Sequence, residues 1–215
     1  ELINKKDIGT IKMEVFRNVQ PKNNFLSEVR KLATDNNIVL IFDECTSGFR
    51  ETFGGLHKKY NVIPDLAVFG KSIGNGIPIT AVIGKEKVME KAKSSFISST
   101  FWTDSLGPAA AIFTLEKMEQ NKSWRKISLT GKKIKTFWKK MSTKYKIKLE
   151  ISGLDAMPMF RFKSLKNNYY KSYITQEMLK KNILATNTVY CCTEHDKYLT
   201  KYFREFEKIF KKLSE

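Results

Sequence analysis

The sequence predicts an α/β fold, namely part of a large domain with a mostly parallel sheet and flanking helices, followed by a small α+β domain. Alternating apolar residues predict a first strand over Gly9–Phe16, and Pro21 marks the start of an amphipathic helix that ends near Asn36 and Asn37. The unbroken apolar run Ile38–Phe42 is typical of a strand covered on both faces. Strand, helix and strand in this order predict a βαβ unit.

Shorter elements complete the first predicted domain, which comprises residues 1–125. Strands are predicted at Leu66–Phe69 and Ile79–Ile83, and helices at Glu86–Lys93 and from Gly107 to Gln120. The polar loop Ser98–Asp104 separates these two helices.

The second predicted domain, residues 126–215, is richer in lysine and in long helical patterns. A helix that begins near Trp124 is predicted to be interrupted or bent near Gly131, because glycine weakens a helix interior. The other predicted elements are strands at Lys146–Ile151, Met157–Phe162 and Ala185–Cys192, and helices at Tyr170–Lys181 and His195–Leu213.

The composition indicates a globular protein of a reducing compartment. No apolar run approaches the ~20 residues that a membrane helix needs. Three cysteines (Cys45, Cys191 and Cys192) and two distant histidines (His57 and His195) show neither a disulfide framework nor a metal-ligand spacing. We therefore expect a cytoplasmic protein without a metal or a membrane partner. Because the first residue is Glu1 rather than Met, we also expect a piece of a longer protein.

The formal net charge of +17 raises the possibility of nucleic-acid binding. Only six of the 39 basic residues are arginine, although recognition of bases and phosphates favours the bidentate guanidinium group. The lysines are also spread from Lys5 to Lys212. We therefore interpret the charge as a compositional bias and expect no nucleic-acid partner.

Two glycine-containing segments resemble phosphate-binding loops but lack a required residue. A P-loop ending in Gly70-Lys71-Ser72 needs a glycine five positions before Gly70, where the chain has Asp65. Gly74-Asn75-Gly76 lacks the third glycine of a dinucleotide fingerprint, since position 79 is Ile79. Neither motif is supported.

Asp43 and Lys71 are the candidate catalytic residues, because each follows an apolar strand. A lysine with an ordinary pKa of ~10.4 is almost fully protonated at neutral pH. A nucleophilic role therefore requires desolvation or nearby cations. Covalent capture of a carbonyl group is the chemistry that such a lysine supports.

The segment around these two residues resembles class III aminotransferases, the fold type I enzymes that use pyridoxal phosphate, and in particular glutamate-1-semialdehyde aminomutase. The resemblance covers nearly the whole chain. The matching motifs are Leu40-Ile41-Phe42-Asp43-Glu44, Gly48-Phe49-Arg50, Gly54-Gly55, Pro64-Asp65-Leu66 and Gly70-Lys71 with its Gly-x-Gly-x-Pro continuation.

The resemblance implies a role for each candidate residue. Lys71 would form the Schiff base with the aldehyde of pyridoxal phosphate and would move the substrate proton. Asp43 would pair with the pyridine nitrogen and so favour the protonated ring. Cys45 would pack against the ring, at a position where many relatives have Val or Ile.

The resemblance also implies a homodimer in which Thr100 reaches the cofactor phosphate of the other subunit. The segment Asp104–Pro108 departs from the family pattern that follows Thr100. Phe101-Trp102-Thr103 is similar to aminotransferases of surface-carbohydrate gene clusters, which suggests a sugar-related acceptor. An amino-acid donor and a carbonyl acceptor are the expected substrates.

Two further hypotheses remain open at this stage. Family members are about twice as long, and their amino-terminal half supplies the phosphate cradle and most substrate contacts. The chain could therefore be a catalytically inactive, aminotransferase-like binding or assembly module. Nucleic-acid binding through the positive charge is the third hypothesis.

Overall fold

The fold is described from a computed structural model of the chain, covering residues 7–16 and 18–214. The chain divides into two compact units, the first ending at Ser123 and the second beginning at Trp124. Within the described residues, no helix has the length and apolar character required to cross a membrane.

The first unit is built on a four-stranded sheet in the order β1-β2-β3-β4. The strands are β1 (Thr10–Glu14), β2 (Val39–Asp43), β3 (Leu66–Phe69) and β4 (Ala81–Gly84). The first three strands are parallel, and β4 runs antiparallel to β3. The helices of this unit are α1 (Phe25–Asp35), α2 (Glu86–Met89) and α3 (Leu106–Asn121).

The predicted βαβ unit is confirmed, with α1 connecting the parallel strands β1 and β2. The helix begins at Phe25 rather than near Pro21, because Asn23 and Asn24 have φ angles of 50° and 57°. That left-handed backbone cannot continue into a right-handed helix. Leu40 and Phe42 of β2 are fully buried, as expected for a strand covered on both faces.

Helix α2 is shorter than predicted. The α-helix ends at Met89, and a 3-10 helix continues over Glu90–Ser94. None of the residues in these two turns is buried, so no apolar face stabilises a longer helix.

The second unit packs its helices around an aromatic core and a two-stranded antiparallel sheet. Its elements are α4 (Ser123–Lys144), β5 (Leu149–Leu154), β6 (Met157–Phe162), α5 (Asn167–Leu179) and α6 (Leu199–Ser214), the last preceded by a 3-10 turn at His195–Tyr198. Trp138, Phe160, Phe206 and Phe210 are among the largest fully buried side chains.

The predicted interruption of α4 at Gly131 is wrong, because the helix is continuous. A Cβ atom at position 131 would lie 1.5 Å from the carbonyl oxygen of Asp155. The glycine therefore permits a close approach between α4 and the β5–β6 turn. Its role in packing outweighs its low helix propensity.

The predicted strand at Ala185–Cys192 is also wrong, since this segment forms only an isolated bridge between Thr188 and Met159. The amides of Val189 and Cys191 donate to the carbonyls of Pro158 and Ala156, at 3.0 Å each. In a regular antiparallel ladder, the backbone nitrogen of residue 158 would donate a second hydrogen bond, to the carbonyl oxygen of Val189. Proline has no N–H, so this bond cannot form. The segment thus follows β6 without forming a regular strand.

Asp65 connects three elements at the start of β3. Its carboxylate accepts the Leu40 amide at 2.8 Å and lies 2.7 Å from both Arg30 of α1 and Lys85 beside β4. Partial burial raises the pKa of Asp65. The hydrogen bonds from Lys85, the Leu40 amide and Arg30 outweigh burial and lower it to about 2.

We predict that Asp65→Asn lowers the free energy of unfolding of the first unit by about 2 kcal/mol at neutral pH. The folded-state pKa lies below the unfolded one, so this stabilisation is present above about pH 4 and is lost as the pH falls towards about 2. Hydrogen exchange of the β2 amides measures the effect.

Asp35→Asn is the matched control, because Asp35 makes an exposed ion pair with Lys31 on α1. Its loss should change stability by less than about 0.5 kcal/mol. Equal effects of the two substitutions would contradict the role assigned to Asp65.

Candidate active site

The site lies at the carboxyl ends of two adjacent parallel strands. Asp43, the last residue of β2, pairs in register with Val68 of β3, and the Glu44 amide donates to the Val68 carbonyl at 2.8 Å. Strand β3 ends at Phe69, and Lys71 follows after one extended glycine. The structure therefore brings Asp43 and Lys71 to the same edge of the sheet, where α/β proteins commonly bind ligands.

Asp43 has two partners that keep its carboxyl group ionised. Its Oδ1 atom accepts the Cys45 amide at 3.2 Å, and its Oδ2 atom lies 3.1 Å from the Nζ atom of Lys12 on β1. Partial burial raises the pKa of Asp43, but the hydrogen bonds from Cys45 and Lys12 outweigh it and hold the pKa below its ordinary value. A carboxylate is consequently available at neutral pH.

Lys71 has an exposed side chain on an unusual backbone. Its φ angle is 45°, in the left-handed region, where a residue with a Cβ atom is strained by on the order of 1–2 kcal/mol. Its Nζ atom donates a 2.6 Å hydrogen bond to the hydroxyl oxygen of Thr46. The amine of Lys71 is thus held over the loop that follows β2.

Cys45 lies between these two residues. An ideal Cβ atom at Gly70 would lie 3.5 Å from the Cys45 sulfur, which places the thiol against the residue preceding Lys71. Partial burial and the neighbouring Asp43 carboxylate raise the pKa of the Cys45 thiol, so it is a neutral group at neutral pH. This environment agrees with an apolar packing role rather than a nucleophilic one.

Glu44 is a residue whose importance we did not predict from the sequence. Its side chain has 0% exposure, and it accepts hydrogen bonds from the Ser47 hydroxyl at 2.6 Å and from the amides of Leu56 and His57 at 2.9 Å each. Burial raises the pKa of Glu44, but the hydrogen bonds from His57, Ser47 and Leu56 outweigh it and lower the pKa. A buried carboxylate thereby connects the two ends of the loop.

His57 is held by Glu44, because its Nδ1 atom lies 2.9 Å from Glu44 Oε1 and its side chain is only 14% exposed. The signal that could have revealed this contact is Gly55. A Cβ atom there would lie 2.9 Å from Glu44 Oε1 and 2.3 Å from the His57 ring. The Nδ1 atom of His195, at the start of the 3-10 turn, accepts the Cys192 amide at 3.2 Å.

Thr100 is exposed in a turn before α3. Among the residues that the structure describes, it makes no hydrogen bond with Asp43, Cys45 or Lys71. Its predicted contact with the other subunit's cofactor stays a prediction.

A second concave surface lies in the second unit and is separate in sequence from this site. It is an open groove of about 690 Å³ along α4, and its lining residues include Lys126, Lys133, Phe137 and Asp196. Lys133 is paired with Asp196 at 2.7 Å. No group of three or more histidine, cysteine, aspartate or glutamate residues within the described ranges is placed to hold a metal ion.

The fold is shared with several solved structures. The FumI protein of Sphingopyxis sp. MTA144, solved in a PLP form, superposes with a TM-score of 0.89 at 22% identity, over 96% of this chain and 52% of that chain. Ornithine aminotransferase from Plasmodium yoelii gives a TM-score of 0.82 at 19% identity, over 98% of this chain and 59% of that chain.

The sequence comparisons define the family. The model of the family "Aminotransferase class-III" matches residues 18–200. The chain is 35% identical over 181 residues to 3-aminobutyryl-CoA aminotransferase of Cloacimonas acidaminovorans, and 32% identical over 181 residues to glutamate-1-semialdehyde 2,1-aminomutase of Methanosphaera stadtmanae. The chain therefore belongs to the class III aminotransferases, whose cofactor is pyridoxal phosphate.

The chain spans less than half the length of these relatives. The matches cover 81% of this chain in both cases, but 44% and 43% of the two relatives. The residues present fit the cofactor, because an ionised carboxylate and a lysine amine occur together at one strand edge with a neutral thiol between them.

We predict that Glu44→Gln loosens the loop from Ser47 to His57 by about 2 kcal/mol. Both carboxylate oxygens face N–H or O–H donors, so the new amide group must point its own hydrogens at one of them. Faster hydrogen exchange at the Leu56 and His57 amides would show the effect.

Glu86→Gln on the exposed face of α2 supplies the control, since Glu86 is solvent-exposed. Unchanged exchange at Leu56 and His57 in Glu44→Gln would refute the assignment of Glu44 as the anchor of this loop.

Proposed function

We propose that the complete protein is a pyridoxal-phosphate-dependent aminotransferase or aminomutase that moves an amino group to a carbonyl carbon. The observation that carries this proposal is the placement of an ionised Asp43 and the Lys71 amine at the same edge of β2 and β3. Family membership supports the reaction class.

In this proposal Lys71 is the covalent attachment point and the proton carrier. When bound, pyridoxal phosphate supplies an aldehyde carbon that exchanges amines and a ring that withdraws electrons. The Lys71 amine would hold the cofactor through that carbon and, when released, would take up and return a proton at the substrate carbon. The exposed position of Lys71 allows it to reach the substrate.

Asp43 would hold a proton on the ring nitrogen of the cofactor. Its carboxylate has a pKa below its ordinary value, so it would offer a negative charge to that nitrogen. The nearby cation Lys12 keeps this carboxylate ionised and, because it shares Oδ2, limits how strongly Asp43 attracts a positive ring.

Cys45 and Thr100 complete the proposed cofactor contacts. Cys45 supplies a small, neutral surface for one ring face, and its position against Gly70 keeps it close to the attachment point. Thr100, exposed before α3, supplies a hydroxyl to the cofactor phosphate of a second subunit in a homodimer.

The proposed substrates are a small-molecule amino donor and a carbonyl acceptor. One similar protein is named for an acyl-CoA amine and the other for an amino shift within glutamate semialdehyde, so both transfer and intramolecular shift agree with the family. Neither name specifies a sugar, and the sugar-related acceptor is supported only by Phe101–Thr103. The cysteines Cys45, Cys191 and Cys192 are not joined in a disulfide, which suits a reducing cytoplasm.

Lys71→Ala tests the attachment point in the complete protein. We expect no pyridoxyl group on this variant after incubation with pyridoxal phosphate and reduction with borohydride, whereas wild-type protein carries one on the Lys71 peptide by mass spectrometry. Lys87→Ala, at an exposed position of α2, serves as the control and should be labelled fully at Lys71. Wild-type turnover by Lys71→Ala would disprove the proposed function.

Asp43→Asn tests the electrostatic role separately. The variant should still be labelled at Lys71, but its turnover should fall about 100-fold, because a charge that stabilises the transition state is lost. Steady-state kinetics with an amino donor measures this effect, with Asp35→Asn as the control for loss of an exposed charge. A change of less than about threefold would remove Asp43 from the mechanism.

A further inference from the structure

The Lys71 amine is directed by the side chain of Thr46. The 2.6 Å hydrogen bond between Lys71 Nζ and Thr46 Oγ1 joins residues 25 positions apart, one after β3 and the other after β2. The loop after β2 is held closed by other contacts, namely the hydrogen bonds that Ser47 and His57 donate to Glu44. The contact therefore concerns the direction of the amine rather than the integrity of the loop.

Thr46 is itself held firmly by its backbone. Its carbonyl oxygen accepts a 2.6 Å hydrogen bond from the Nε atom of Arg50, and the next residue, Ser47, is fixed by the buried Glu44 carboxylate. A β-branched side chain has few χ1 rotamers, so a fixed backbone leaves the Thr46 hydroxyl few positions. The hydroxyl is thus a stationary acceptor beside a long, flexible lysine side chain.

We propose that Thr46 is a positioning residue for Lys71, which holds the free amine in line for bonding to the cofactor's aldehyde carbon. This inference rests on the proposed function. A hydroxyl oxygen accepts an N–H from the ammonium form and, more weakly, from the neutral amine. The neutral amine can therefore stay bound to Thr46 while its lone pair points away towards the carbon that it attacks.

The bonding step shows what such positioning contributes. The Lys71 nitrogen forms a bond to the aldehyde carbon, and the aldehyde oxygen leaves as water with the two amine hydrogens. Without a fixed acceptor, the four methylene groups of the lysine spread the amine over many rotamers, and only some of these align the lone pair. The left-handed backbone at Lys71 and the Thr46 hydroxyl together restrict that set.

The experiment compares Thr46→Val, Thr46→Ser and Thr52→Val in the complete protein freed of cofactor. Thr52 is the matched control, because its hydroxyl lies in the same loop but donates to the carbonyls of Gly54 and Gly55. Two quantities are measured. One is the rate of covalent attachment of pyridoxal phosphate to Lys71, followed by absorbance and confirmed by borohydride trapping. The other is the affinity for pyridoxine 5′-phosphate, which has no aldehyde.

We expect Thr46→Val to attach pyridoxal phosphate about tenfold more slowly, corresponding to loss of one hydrogen bond of about 1.4 kcal/mol, while its affinity for pyridoxine 5′-phosphate stays unchanged. Thr46→Ser should restore the rate to within about threefold, and Thr52→Val should match wild type.

Three outcomes would overturn the inference. The first is attachment by Thr46→Val at the wild-type rate, and the second is an equal slowing by Thr46→Val and Thr52→Val, which would indicate a loosened loop. The third is a parallel loss of affinity for pyridoxine 5′-phosphate. Failure of the wild-type protein to attach pyridoxal phosphate at Lys71 would overturn the proposed function as well.

Discussion

The buried carboxylate of Glu44 is the interaction on which the site depends. A fully buried charge is unfavourable unless donors surround it, and this one accepts hydrogen bonds from Ser47, Leu56 and His57. Those donors lie 3 to 13 residues away in the chain, so satisfying the charge also closes the loop after β2. Asp43 and Thr46 flank this anchor, and their positions follow from it.

A second carboxylate, Asp65, performs a related function at the other end of the same strands. It connects the Leu40 amide at the start of β2 with Arg30 of α1 and Lys85 beside β4. The parallel pair β2–β3 is thus fixed at both ends by an acidic side chain that is almost fully satisfied. The register that puts Asp43 opposite Val68 is consequently well defined.

The side chains of Asp43 and Lys71 are less rigidly held than the carboxylates of Glu44 and Asp65. Lys71 is exposed and has a strained backbone, and its amine donates a hydrogen bond to Thr46. Asp43 is partly buried and shares one oxygen with the exposed cation Lys12. This contrast is what the proposed covalent role of Lys71 requires, since the scaffold would define the starting position of the amine, whereas the amine itself would have to move.

The sequence by itself determined the βαβ unit, the Asp43–Lys71 pair and the family resemblance, because apolar runs and strand-end residues are local patterns. It could not determine features that depend on distant neighbours. Gly131 looks like a helix breaker until the Asp155 carbonyl lies against it, and Ala185–Cys192 looks like a strand until its partner position is Pro158. Similarly, Thr46 carries no local signal of its contact with Lys71, and the contacts of Glu44 and His57 are indicated only indirectly, by the glycine at position 55. Their roles arise only when the tertiary fold buries one carboxylate and brings residues 46 and 71 within hydrogen-bond distance.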